Sequence, residues 1–264
     1  FDASDSFRGD LSIHFGNVEG TNTPFSIFGL LDPSNPAELC APAANYQFDN
    51  AQCSDVFGIQ ETADGDPYTH TFNPDEAAKY ILDTDYTGGA LRLEWDLGDW
   101  DLVSITGYES QDRVFGDNIN SHPLQLSSIT HDEDISQFSQ ELRLSGGSDS
   151  GPQWIVGAFY SQDEFESENI FEAGDFFVTN LFWNVDQETA TWAFFGSVDI
   201  PLSERMNLTA GLRYTDEEID FAGGTTDLNP YDASCILDPF CGPTGLGAFQ
   251  LTGTDSTFSD DNLS

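Results

Sequence analysis

Basic side chains are scarce in this sequence: seven Lys and Arg stand against 47 Asp and Glu, a formal net charge of -40 over 264 residues. A surface of that sign repels polyanions, which argues against nucleic acid as a partner. Long apolar runs are also missing. Without eighteen consecutive apolar residues a helical membrane span is excluded. A β-barrel span is not, because barrel strands need only ~9–11 residues with alternate positions apolar, so the mean hydropathy of -0.34 is compatible with one. Methionine occurs once, as Met206, residue 1 is Phe, and no basic, apolar, small-residue leader precedes the first strand pattern. With residues 257–264 reading as the approach to a further strand, the sequence is expected to be an internal piece of a longer protein. Catalytic motifs are absent: there is no Gly-x-Ser-x-Gly, His-Glu-x-x-His or phosphate loop, and His14, His70, His122 and His131 are scattered. His131 reads as a loop residue paired with Asp132. No enzymatic chemistry, cofactor or metal site is expected.

What the sequence does have is 22 Phe and 24 Gly, which suit a β-rich fold better than an acidic disordered tail. Its apolar runs are joined by connections that alternate in length: 19–82 long, 98–99 short, 114–134 long, 146–152 short, 164–188 long, 201–205 short and 222–257 long. Outer-membrane barrels show this asymmetry, with tight periplasmic turns and extended outer loops. Soluble domains keep most connections short at both ends.

The strands themselves alternate. Leu91, Leu93, Trp95 and Leu97 oppose Arg92, Glu94 and Asp96, and Phe138, Leu142 and Leu144 oppose Ser139, Glu141 and Arg143. Leu208, Ala210, Leu212 and Tyr214 form one row, and Trp154, Val156, Ala158 and Tyr160 another. The run from Trp192 to Ile200 is less regular, with Phe195 on the minor face. The run from Trp100 to Glu109 mixes polar and apolar residues on both faces; a bulge would reconcile them, and the sequence leaves the register open. Trp95, Trp100 and Trp154 lie beside short turns, and Tyr108, Tyr160 and Tyr214 near the opposite strand ends, as two aromatic girdles require. The competing reading is the core of a secreted acidic β-sandwich that binds a surface or cation, whose turns would be of similar length at both ends.

Arg92, Arg143 and Arg213 fall on the polar faces, the first two beside Glu94 and Glu141, and are expected to form lumenal charge pairs. Cys40 and Cys53, and Cys235 and Cys241, bracket short stretches within long connections and read as two local disulfides in an oxidising exterior. Neither pair has zinc spacing. Acidic clusters at Asp132–Asp134, Asp163–Glu168 and Asp216–Asp220 read as a solvated rim, lacking the ordered ligands of a calcium loop while leaving open divalent-cation bridges to lipopolysaccharide. The most apolar loop segment runs from Phe176 to Trp183. It reads as an outer hairpin extending two strands, with Phe176, Phe177, Phe182 and Trp183 as candidate ligand contacts.

At four places the sequence resembles a known family. Ser104-Ile105-Thr106-Gly107-Tyr108, the stretch Ser139–Ser145, Trp154-Ile155-Val156-Gly157-Ala158-Phe159-Tyr160 and the stretch Leu208–Thr215, linked by the turn at 199–206, are similar in order and spacing to the middle barrel strands of TonB-dependent outer-membrane receptors. The resemblance covers residues 83–220. It implies an all-β, antiparallel transmembrane barrel of about twenty-two strands, of which residues 1–264 are about seven or eight, with long extracellular loops and short periplasmic turns. It also implies a separate plug, a TonB-type energy-coupling protein, contact with outer-membrane lipid and lipopolysaccharide, and uptake of a scarce nutrient such as an iron–siderophore chelate. A passive outer-membrane porin is the alternative that shares the strand pattern.

Overall fold

The computed structural model describes residues 2–4, 6–21, 29–47, 52–58, 60, 81–118, 127–148, 151–173, 179–203, 205–228 and 248–264. Its strands are β1 (Asp2–Ser4), β2 (Phe7–Gly20), β3 (Leu31–Asp32), β4 (Asn35–Leu39), β5 (Leu82–Asp96), β6 (Trp100–Asn118), β7 (Ser128–Gly147), β8 (Gln153–Ala173), β9 (Thr179–Ser203), β10 (Met206–Asp227) and β11 (Phe249–Leu263). One short helix, α1, spans Ala41–Ala44. A nine-stranded antiparallel sheet runs β1-β2-β5-β6-β7-β8-β9-β10-β11, each strand beside its predecessor apart from the excursion between β2 and β5. This single layer has no second sheet packed on it among the described residues, which removes the β-sandwich reading.

The asymmetry of the connections persists, but the strands run further than their apolar pattern shows. β6 continues to Asn118, β7 starts at Ser128, β8 reaches Ala173, β9 starts at Thr179, and β10 and β11 extend to Asp227 and back to Phe249. The expected long connections 114–134, 164–188 and 222–257 are therefore corrected at both ends. The acidic clusters sit on paired strands rather than in loops. On the opposite side the turns are tight: Gly98 takes φ 93°, open to glycine, and its N–H donates to Asp96 Oδ1 at 2.7 Å.

β6 settles the register that the sequence left open, and it has no bulge. It pairs residue for residue with β5 and β7 without a register shift. Trp100, Leu102, Ser104, Thr106 and Tyr108 share one face, while Val103 and Ile105 on the other stand between two ion pairs, Arg92–Glu94 and Arg143–Glu141. Both pairs join i to i+2 along a strand, as read from the sequence.

Because no described element covers either face of the sheet, a difference in burial between them reports curvature. Ser161, Ser167, Asn169, Ala173 and Ala193 are buried and share one face, whereas on the other face burial falls on Ser128 at the rim and on Gly9 and Gly116, which have no side chain to expose. The other face carries exposed Leu11, Ile13, Phe15, Leu91, Leu142, Val156, Phe194, Leu208 and Leu212. The first is the inner, concave face and the second the outer.

The excursion between β2 and β5 holds a small stapled unit. β3 and β4 form a hairpin whose Asp32 accepts hydrogen bonds from the Ser34 hydroxyl (2.6 Å) and N–H (2.8 Å), which holds its carboxyl below the ordinary aspartate range. Cys40 and Cys53 are disulfide-bonded with Cα atoms 5.5 Å apart, and both are buried with Ala43 of α1. Cys235 and Cys241 lie outside the described residues.

Candidate functional site

Residues paired across a ladder share a face, so rows can be followed through the whole sheet. Near the short turns the outer row is Phe7, Trp95, Leu102, Leu144, Val156, Gly196 and Leu212, apolar from end to end. Ten residues along β5 the outer row has changed character: Asn17, Asp85, Asp112, Asp134, Glu166, Asp186 and Ala222, with five carboxylates side by side on adjacent strands. The apolar band ends at Phe15 on β2, Tyr108 on β6, Phe138 on β7, Tyr160 on β8, Trp192 on β9 and Tyr214 on β10.

This boundary is oblique to the rows. Phe15 pairs with Thr87 of β5, whereas the row of Tyr214 reaches β5 at Leu93, so the band drops six residues over six strand steps. At ~3.3 Å per residue and ~4.8 Å per strand that slope is ~35°, the tilt of membrane-barrel strands. A level lipid surface crossing tilted strands produces this staircase. β9, with 25 residues, is ~80 Å long and stands ~65 Å tall at that tilt, against an apolar band of ~25 Å. The wall projects well beyond the membrane.

Above the boundary the two faces exchange character. The outer face becomes acidic, and the inner face gains Tyr86, Ile135, Phe165 and Phe221, and higher up Leu82, Phe115 and Trp183. The pleat splits every acidic cluster. Asp132 and Asp134 face outward while Glu133 turns inward to Arg113 at 3.7 Å, and Glu164, Glu166 and Glu168 face outward while Asp163 accepts from Gln137 within. Asp112 is held above the ordinary aspartate range, first by sharing a hydrogen bond with Asp134, then by burial and the charges of Asp134 and Asp85. Among the described residues no group of three His, Cys, Asp or Glu is placed to hold a metal ion.

The inner wall of this projecting part is the candidate site. A depression of about 420 Å³ is lined by Tyr86, Glu109, Gln111, Ile135, Phe165 and Gln187. His14 and Glu109 meet at 2.8 Å across β5 because Gly88 lies between them; a Cβ there would overlap the Glu109 carboxylate. All five arginines on described strands face inward. Arg8 pairs with Asp10 at 3.3 Å, Arg92, Arg113 and Arg143 pair with glutamates, and Arg213 lies 6.0 Å and 5.7 Å from the ring centres of Phe159 and Phe195. The Phe195 ring occupies the space that Gly157 leaves.

Of the residues singled out in the sequence as ligand contacts, Trp183 lies on the inner face of β9 and Phe182 on its outer face opposite Ile170. Phe176 and Phe177 lie outside the described residues. His131 is corrected: it belongs to β7, not a loop, and Asp132 points to the other face. Its partner is Asn169 on β8, with which its Nδ1 is hydrogen-bonded, and the rings of Phe115 and Trp183 flank it at 5.8 Å and 6.2 Å. The spacing Ile129, His131, Glu133, Ile135 carried the signal for a strand, but Asn169 could be found only from the register of β7 with β8.

The chain matches the family model described as TonB dependent receptor-like, beta-barrel, over residues 22–243. Among solved structures it is similar to the crystal structure of the ferric yersiniabactin uptake receptor FyuA from Yersinia pestis, at a TM-score of 0.53 and 13% identity, covering 69% of this chain and 25% of that one. The chain thus spans about a quarter of that receptor's length. No curated protein matches it.

Proposed function

The chain belongs to the TonB dependent receptor-like β-barrel family, an outer-membrane family of transporters rather than enzymes, and from that premise we propose that residues 1–264 are part of the wall of a receptor that captures a scarce nutrient complex, an iron chelate, and imports it with energy from a TonB-type partner. The observation that carries this reading is the exchange of faces above the apolar band. A passive channel needs only a polar lumen through the membrane. Here the strands continue beyond the lipid and line their inner wall with aromatic and hydrogen-bonding side chains around a depression, the mixture that binds a partly apolar small molecule.

On this reading the plug and the remaining strands of a barrel of about twenty-two lie elsewhere in the protein, and the plug carries the coupling. Lipid meets the outer band from Trp95 and Trp100 up to Tyr108 and Tyr214, and lipopolysaccharide meets the carboxylates above. The fold-level likeness to a ferric yersiniabactin uptake receptor supports an iron chelate as cargo.

The test is growth of the source bacterium on iron supplied only as defined chelates, with the gene for the complete protein present or deleted, and with the energy-coupling partner present or deleted. Loss of growth on one chelate class in both deletions is expected. Uptake that survives loss of the coupling partner would assign a passive channel instead.

A further inference from the structure

His131 sits on the inner wall, in the projecting part of the sheet, in a row with Leu82, Phe115, Asn169 and Trp183. Its tautomer follows from the hydrogen bonds around it. The Asn169 side chain, 3% exposed, approaches the backbone carbonyl of Trp183 at 3.3 Å and the Ser167 hydroxyl at 2.9 Å through Nδ2. A carbonyl can only accept, so the Asn169 nitrogen is fixed on that side and its oxygen faces His131. The oxygen accepts from His131 Nδ1–H, and in the neutral ring Nε2 is left with a lone pair and no hydrogen bond to the described residues. An imidazole whose Nδ1–H is tied to a protein oxygen while Nε2 is free is the arrangement of a metal-ligating histidine.

One donor cannot hold a free ion, and among the described residues no set of three ligating side chains surrounds it. The neighbouring Glu133 is engaged by Arg113, whose guanidinium also lies over the Phe115 ring at 5.1 Å. A single fixed imidazole between two aromatic rings suits a metal that arrives already held by an organic chelator, the rings meeting the chelator and the nitrogen meeting the metal. Resting on the receptor reading above, we propose that His131 reads the metal of the cargo: Nε2 takes an exchangeable coordination position on a chelated first-row transition metal, displacing one bound water, with no proton transferred because Nε2 carries none. Asn169 is the positioning residue.

The experiment uses the complete receptor in detergent and two probes, copper(II) nitrilotriacetate, which leaves positions to water, and copper(II) ethylenediaminetetraacetate, which leaves none. Wild type is expected to bind the first with the nitrogen coupling of one imidazole in pulsed electron paramagnetic resonance, and not the second. His131→Gln removes that signature, and Asn169→Ala, which keeps the ligand but frees its ring, weakens binding about tenfold. Background from every other histidine of the complete receptor is common to wild type and variants and cancels in the difference. Heat-modifiable migration on gels verifies that each variant is folded. Equal binding by wild type and both variants, or equal binding of the two probes, overturns the proposal. If that happens while growth on iron chelates still requires the protein, the inference alone fails; if no chelate requires it, the receptor reading fails with it.

Discussion

Asp112 shows how much charge the outer face carries above the lipid. It stands between Asp85 and Asp134, and its raised affinity for a proton means that the folded state binds that proton more tightly than the unfolded chain does. The sign follows: the repulsion is fully present above the raised value and fades as pH falls through it toward the ordinary aspartate range. Asp112→Asn is therefore expected to stabilise the complete protein at neutral pH by about 0.2–1 kcal/mol, the scale of like charges directly opposed across strands, and to gain less at pH 4, close to the ordinary aspartate value. Thermal melts in detergent at both pH values check this; equal shifts at the two would remove the charge explanation. At this scale the sequence was partly legible. Arg92–Glu94 and Arg143–Glu141 could be read because both partners lie two residues apart on one strand. His131–Asn169 and His14–Glu109 could not, because they join residues 38 and 95 positions apart through a register that only the assembled sheet fixes.

At the scale of the element, a strand has two regimes along its length, and the oblique boundary decides which applies. Leu142 lies inside the band, outward and exposed, so Leu142→Arg is expected to cost about 2–4 kcal/mol near the midplane and to reduce the inserted fraction, whereas Ser136→Arg on the same face of the same strand, above Phe138, is tolerated. Quantifying folded protein in isolated outer membranes separates the two; equal yields would mean that the faces are reversed. Ile13 and Glu218 share one row, yet the staircase puts the first in lipid and the second above it. A membrane-impermeant maleimide should label Glu218→Cys and spare Ile13→Cys. This change of regime is also why the strands looked short in the sequence: the apolar alternation used to trace them stops at the lipid boundary, while backbone pairing continues. β6 misled for a related reason, since Val103 and Ile105 are apolar on the inner face to separate ion pairs, not to meet lipid. In the stapled unit, Cys40→Ser is expected to expose residues 29–47 and 52–58 to proteolysis by removing about 3 kcal/mol of loop restraint, with heat-modifiable barrel migration unchanged.

For the whole molecule, fold class and membrane side were the most legible features, because loop asymmetry, alternation and girdles recur in several strands and so outvote local exceptions. The candidate site was the least legible, because Tyr86, Glu109, Gln111, Ile135, Phe165 and Gln187, which line the depression, come one or two per strand from five strands. An apolar outer band without cover also predicts behaviour in solution: without detergent the 264-residue chain should aggregate, while detergent keeps it dispersed, as sizing chromatography will show. The acidic ladder of Asp85, Asp112, Asp134, Glu166 and Asp186 has a consequence for neighbours in the membrane. Two molecules drifting together side by side bring these ladders face to face, and at physiological salt each feels the other only within about 8 Å. Crowding is thus resisted at contact and unopposed beyond it, so the packing density these molecules reach in a membrane will rise with ionic strength.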